Sequence, residues 1–187
     1  GIFVTQNVCS NNAPPVVLTI VGDLLIGRGE VWQEIVEADY GPAMLGDYSP
    51  LFTQSDFVFV NFEGIISERD EPRPKSLPSQ FSLNTDPTIL RFLKHFGSNV
   101  ILSFANNHSA DFGHNAIQDT INLLEKTNIN YVGIGRNRQE ILAPVIKEVY
   151  GVRVAFLAFT DLLPEEYYAS DTRIGVAELT EENLRVA

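Results

Sequence analysis

Cysteine is nearly missing from this sequence. The single Cys9 among 187 residues excludes an internal disulfide and a cysteine-built zinc site, so the fold rests on its core. Basic residues are also scarce: 13 Lys and Arg stand against 24 Asp and Glu, a formal net charge of −11. A chain this acidic exerts no net pull on nucleic acid or anionic lipid, and no Lys/Arg cluster makes a local basic stripe. Nucleic acid is therefore not an expected partner. No apolar run approaches the roughly 20 residues that cross a bilayer. The longest, residues 16–21 and 154–159, have the length of strands. Several catalytic signatures are absent as well: a GxxxxGK[ST] loop, a GxSxG elbow and an HExxH helix. The run from Gly133 through Gly135 to Arg138 lacks the third glycine of a dinucleotide loop and reads as a turn. What remains is ordinary: 44% apolar and 20% charged residues describe a globular domain, not a disordered or collagenous chain.

Residues 1–15 carry no charge and read as a flexible tail or linker, leaving 16–187 as one domain. Val8 is a poor match for the small residue that would precede a lipid-modified Cys9. Beyond the tail, strand and helix signals alternate. Buried strands are predicted over 16–21, 57–60 and 100–104, with a short one over 131–134. Helical character appears over 30–37, and the polar, proline-containing run 67–79 is an excursion. Asp86-Pro87 opens a helix that Gly97 stops; a second helix runs over about 115–127. Asn137 caps a short helix before Pro144, residues 145–149 and 152–159 make a hairpin around Tyr150-Gly151, and Thr180 opens a last helix. The class is α/β, with a mixed sheet: the hairpin adds antiparallel pairing to strands that otherwise look parallel.

Three predicted strands end in residues an apolar interior would not choose: Asp23, then Asn61 with Glu63, then Asn106-Asn107-His108. In open α/β sheets ligands bind beyond the carboxyl ends of the strands. If these strands are parallel neighbours, two carboxylates, carboxamides and an imidazole meet at one rim. Carboxylates that close repel, and a cation removes the penalty. Hard oxygen donors with one nitrogen suit Mg, Mn, Fe or Zn. Taken singly, each residue has a plainer role. Asp23 serves as a turn or cap, Glu63 as a solvated carboxylate, and Asn107-His108-Ser109 also fits an N-glycosylation sequon. His95 belongs to an amphipathic helix and His114 to a helix start, so neither is a ligand candidate; Asp161 is a weak further one.

Gly22-Asp23, the run Ser55 to Glu63 with its Asn61-Phe62-Glu63, the run Ala105 to Gly113, and Gly133-Ile134-Gly135 occur in this order. Together they resemble the bacterial capsule synthesis proteins of the CapA type, also called poly-gamma-glutamate synthesis proteins of the PgsA type. The resemblance covers roughly residues 16–160. It implies a variant of the calcineurin-like metallophosphoesterase fold, here an incomplete two-sheet sandwich. It implies Asp23, Glu63 and Asn107 as metal ligands and His108 as the residue facing substrate. Asp111 then either orients His108 or caps the following helix. The family's later HWG-type and GHxP-like motifs do not occur in this sequence, so a C-terminal portion of the domain is missing and weak metal binding is expected. The implied function is capsule or poly-gamma-glutamate synthesis or export at the cell envelope. Its partners would be the anionic polymer or its synthesis machinery. Metal-dependent hydrolysis of a phosphoester or gamma-amide is one form of it; a non-catalytic envelope scaffold is the other.

Overall fold

The computed structural model describes residues 14–26, 34–35, 40–74 and 81–187. The tail with Cys9 and most of the helix expected over 30–37 lie outside them. In chain order the strands are β1 (Leu18–Leu24), β2 (Phe57–Phe62), β3 (Ile65–Ile66), β4 (Asn84–Thr85) and β5 (Val100–Ser103). They continue with β6 (Asn130–Val132), β7 (Ile134–Gly135), β8 (Val145–Val149), β9 (Val152–Phe156) and β10 (Gly175–Val176). The helices are α1 (Gly41–Leu45), α2 (Ser49–Thr53), α3 (Ile89–Leu93), α4 (Gly113–Thr127), α5 (Arg138–Leu142) and α6 (Glu181–Val186).

Strands β1, β2, β5 and β6 form a four-stranded sheet in that order, and every pairing in it is parallel. Parallel strands are covered on both faces, which is why they read as unbroken β-branched and aromatic runs. One face carries Val58, Val60, Phe62, Val100 and Leu102, packed against Phe92 and Leu93 of α3 and Ile117, Ile121 and Leu124 of α4. The opposite face carries Phe57, Phe59, Ile101 and Val132, and there the β8–β9 hairpin lies. Phe156 stacks on Phe59 at 5.6 Å between centroids and meets Phe57 edge-on at 5.9 Å.

The mixed sheet expected from the sequence is corrected here. The antiparallel pairing sits in separate two-stranded sheets, β8 with β9 and β7 with β10. Tyr150 and Gly151 both have positive φ, 51° and 76°, which makes the two-residue turn that matches the twist of a hairpin. The hairpin therefore pairs with itself and covers the parallel sheet face to face.

Local chemistry sets the helix ends. The Asp86 carboxylate accepts the Thr88 N–H at 2.8 Å, and Gly97, with φ at 89°, ends the turn that follows α3. Helix α4 starts at Gly113, two residues earlier than the periodicity predicts, and closes on Asn128 in the left-handed conformation. Asn137 and Thr180 cap α5 and α6 through Glu140 N–H and Asn183 N–H. No helix among the described residues is long and apolar enough to cross a membrane.

Candidate functional site

The carboxyl ends of β1, β2 and β5 lie side by side, and the register of the first pair decides what meets there. Val21 pairs with Val60, but the next pair is Asp23 with Asn61; Gly22 is an extra residue in β1. Without this bulge Asp23 would fall opposite Phe62, on the face packed against the helices. With it, Asp23 shares the side of Asn61, while Leu24 pairs with Phe62 and packs into the helical core.

Asn61 is the junction. Its carboxamide NH2 donates to Asp23 Oδ1 at 2.7 Å and to Glu63 Oε2 at 3.0 Å. The carboxylates at the ends of two neighbouring strands are thus joined through one amide. The Asn61 carbonyl oxygen accepts the side-chain N–H of buried Asn106 at 3.2 Å. Asn106 also donates to Phe62 O at 2.8 Å, and its oxygen accepts His108 N–H at 3.0 Å and the Ser109 hydroxyl at 3.1 Å. Ser109 bonds Phe104 O as well, so the turn after β5 is tied to the strand it leaves.

His108 stands between two carboxylates. Its Nδ1 is 2.7 Å from Asp111 Oδ2, and its Nε2 is 3.7 Å from Glu63 Oε1. The Asp111 side chain has 0% exposure, against 18% for His108 and 16% for Glu63. The same Asp111 oxygen accepts Leu83 N–H at 2.8 Å, and Asp111 O accepts Arg73 N–H at 2.7 Å. A carboxylate accepts only, so Nδ1 carries the proton toward Asp111 and Nε2 is left facing Glu63. Of the two roles open to Asp111, orienting His108 is the one its contacts serve. Helix α4 has no side-chain cap.

The structure brings Asp23, Glu63, His108 and Asp111 into one network, with Asn61 and Asn106 at its centre. Asn107, the carboxamide implied as a ligand, is half-buried and outside this set of hydrogen bonds. Asp161 is exposed and takes no part. His95 packs edge-on to Phe92 at 6.1 Å between centroids. The His114 ring stacks on Tyr167 at 5.2 Å, with Nε2 2.9 Å from Glu166 O. The backbone contacts of Leu83 and Arg73 had no signal in the sequence, since N–H donors leave no residue type to read.

Among the described residues, no three His, Cys, Asp or Glu side chains gather closely enough to hold a metal ion. The donor set nevertheless fits a hard divalent cation in kind: two carboxylates, carboxamides and one imidazole nitrogen.

Comparison with known proteins completes the description. The family model for the bacterial capsule synthesis protein PGA_cap matches residues 17–185. The capsule biosynthesis protein CapA of Bacillus anthracis is 33% identical over 144 residues, 77% of this chain and 34% of that protein. The PGA biosynthesis protein CapA of Bacillus subtilis (strain 168) is 30% identical over 160 residues, 84% of this chain and 40% of that protein. An uncharacterised protein of Sinorhizobium fredii is 26% identical over 163 residues. The chain thus spans well under half the length of these relatives.

Proposed function

Because this chain belongs to the bacterial capsule synthesis protein family, we propose that it serves the making or export of a capsular polymer of the PGA kind, through a divalent-metal site at the rim of its parallel sheet. The observation that carries the reading is the bridging of Asp23 and Glu63 by one Asn61 amide, with His108 Nε2 beside Glu63. Carboxylates from adjacent strands gathered beside an imidazole are costly to keep together without a counter-charge. The metallophosphoesterase-like reading of the fold belongs to this proposal. It is supported by a parallel sheet with helices on one face, a hairpin on the other, and the polar cluster at its carboxyl edge.

In this reading Asp23, Glu63 and Asn107 hold the cation. When bound it supplies Lewis acidity and an activated water. The protein's own residues do the rest. Asp111 fixes the His108 tautomer and ring direction, leaving Nε2 available to hold or pass a proton. Asn61 and Asn106 keep the carboxylates in register. Hydrolysis of a phosphoester or a gamma-linked amide is the chemistry such a set supports. A non-catalytic scaffold in the same pathway is the second reading, favoured by the lack, among the described residues, of three closely gathered ligand side chains.

Calorimetric titration of this chain with Mn or Zn, followed by assays on a phosphodiester and a gamma-glutamyl amide, separates the readings. Binding weaker than about 1 μM, roughly 8 kcal/mol, is expected, since only three ligand side chains are in place. Binding that Glu63→Ala abolishes supports the metal reading. No binding, or binding that survives this substitution, overturns it; binding without turnover of either substrate favours the scaffold.

A further inference from the structure

We propose that Asn61 is a positioning residue, whose carboxamide is locked in one orientation by Asn106 so that its NH2 group clamps one oxygen of each of the Asp23 and Glu63 carboxylates and leaves the other oxygens open. The clamp itself is independent of metal, and its place behind a bound cation rests on the metal reading above.

The orientation follows from donors and acceptors alone. Asn106 touches two backbone groups of fixed character: Phe62 C=O, which only accepts, and His108 N–H, which only donates. Its NH2 therefore faces Phe62 and its oxygen faces His108, with no second arrangement that satisfies both. The remaining Asn106 N–H points at Asn61, so the group presented there by Asn61 has to be its oxygen. The Asn61 NH2 is left on the side of Asp23 and Glu63, both of them acceptors. Two backbone groups, Phe62 C=O and His108 N–H, thus dictate, through two linked amides, which end of Asn61 the carboxylates meet. Reversing Asn61 would set its oxygen against two carboxylates and its NH2 against the NH2 of Asn106.

The amide also does locally what a cation does: it places positive partial charge between two negative groups on neighbouring strands. Each carboxylate keeps a second oxygen, so Asp23 Oδ2 and Glu63 Oε1 stay open to a cation while Asn61 holds Asp23 Oδ1 and Glu63 Oε2.

The test reads hydrogen exchange of the Asn61 side-chain NH2 by nitrogen-15 NMR of this chain, the signal being identified by its loss in Asn61→Asp. In chelator-treated wild type the NH2 is expected to exchange at least tenfold more slowly than a free carboxamide. In Asp23→Ala/Glu63→Ala that protection disappears, because the acceptors are gone. An unprotected wild-type NH2 overturns the clamp. So does protection that survives the double substitution, which would mean that the NH2 faces Asn106. Saturating Mg then tests the clamp's place behind a cation. Binding with protection kept supports it, and binding accompanied by loss of protection overturns it. Should Mg not bind, the metal reading and this placement fail together, while the chelated comparison still decides the clamp.

Discussion

The Nδ1 atom of His108 lies 2.7 Å from an Asp111 oxygen whose carboxylate is wholly buried. That oxygen also takes the Leu83 N–H, so one carboxylate joins the turn after β5 to the segment leading into β4. Asp111→Ala removes the one oxygen that serves both donors and leaves the Leu83 N–H and His108 Nδ1 without their acceptor. A loss of about 1–3 kcal/mol is expected in urea unfolding of the metal-free chain. His108 should also change tautomer, visible in its ring nitrogen-15 shifts. An unchanged tautomer would deny Asp111 its orienting role.

Glu63 is a different case. It accepts from Asn61 at 3.0 Å and carries part of a repulsive cluster. Glu63→Ala removes charge from that cluster as well as a hydrogen bond. Its unfolding free energy in chelator should therefore change by less than about 1 kcal/mol in either direction. A drop of several kcal/mol would mark Glu63 as part of the fold rather than of the site.

Away from the site, Tyr131 gives the protein an alkaline sensitivity. Burial, then the negative charge of Glu125, pushes its phenol up to about 12, with the Arg136 guanidinium opposing. The folded chain holds this proton more tightly than the unfolded chain, whose tyrosines ionise near 10. The stabilisation is complete below about pH 10 and is lost as pH rises toward 12. Tyr131→Phe should flatten the stability curve over this window. Absorbance titration should show one tyrosine fewer ionising late.

The hairpin is held by an aromatic anchor. Phe156 is buried on Phe57 and Phe59, and without it the β8–β9 layer keeps only aliphatic contacts to the sheet. Phe156→Ala is expected to cost about 3–5 kcal/mol in global unfolding. Amide exchange in β8 and β9 should rise more than in β5.

The parallel strands were legible because both-face burial writes itself as continuous runs such as 57–60 and 100–104. Asn137 and Thr180 were legible because a cap is a local event, decided within three residues. The placement of the hairpin was not, since sequence shows that two strands turn back but not whether they extend a sheet or cover it. At the site, Asp23, Glu63 and His108 stood out as ligand types at strand ends. The choice of Asn106 over Asn107 for the inner position did not, because adjacent identical residues point to different sides and only the turn geometry after Phe104 decides between them.

Gly22 makes the rim a matter of parity. A strand has two sides and no positions between them, so the extra residue in β1 acts as a binary digit rather than an adjustable length. Drawing Gly22 into the regular ladder would not shift Asp23 slightly. It would set Gly22 against Asn61 and turn the Asp23 carboxylate toward Phe62. Substituting Gly22 is a milder change, since a Cβ there meets nothing within 4 Å. Losing residue 22 altogether closes the bulge and leaves Asp23 opposite Asn61 and Leu24 opposite Phe62, so the rim tolerates the absence of this residue but not its entry into the ladder.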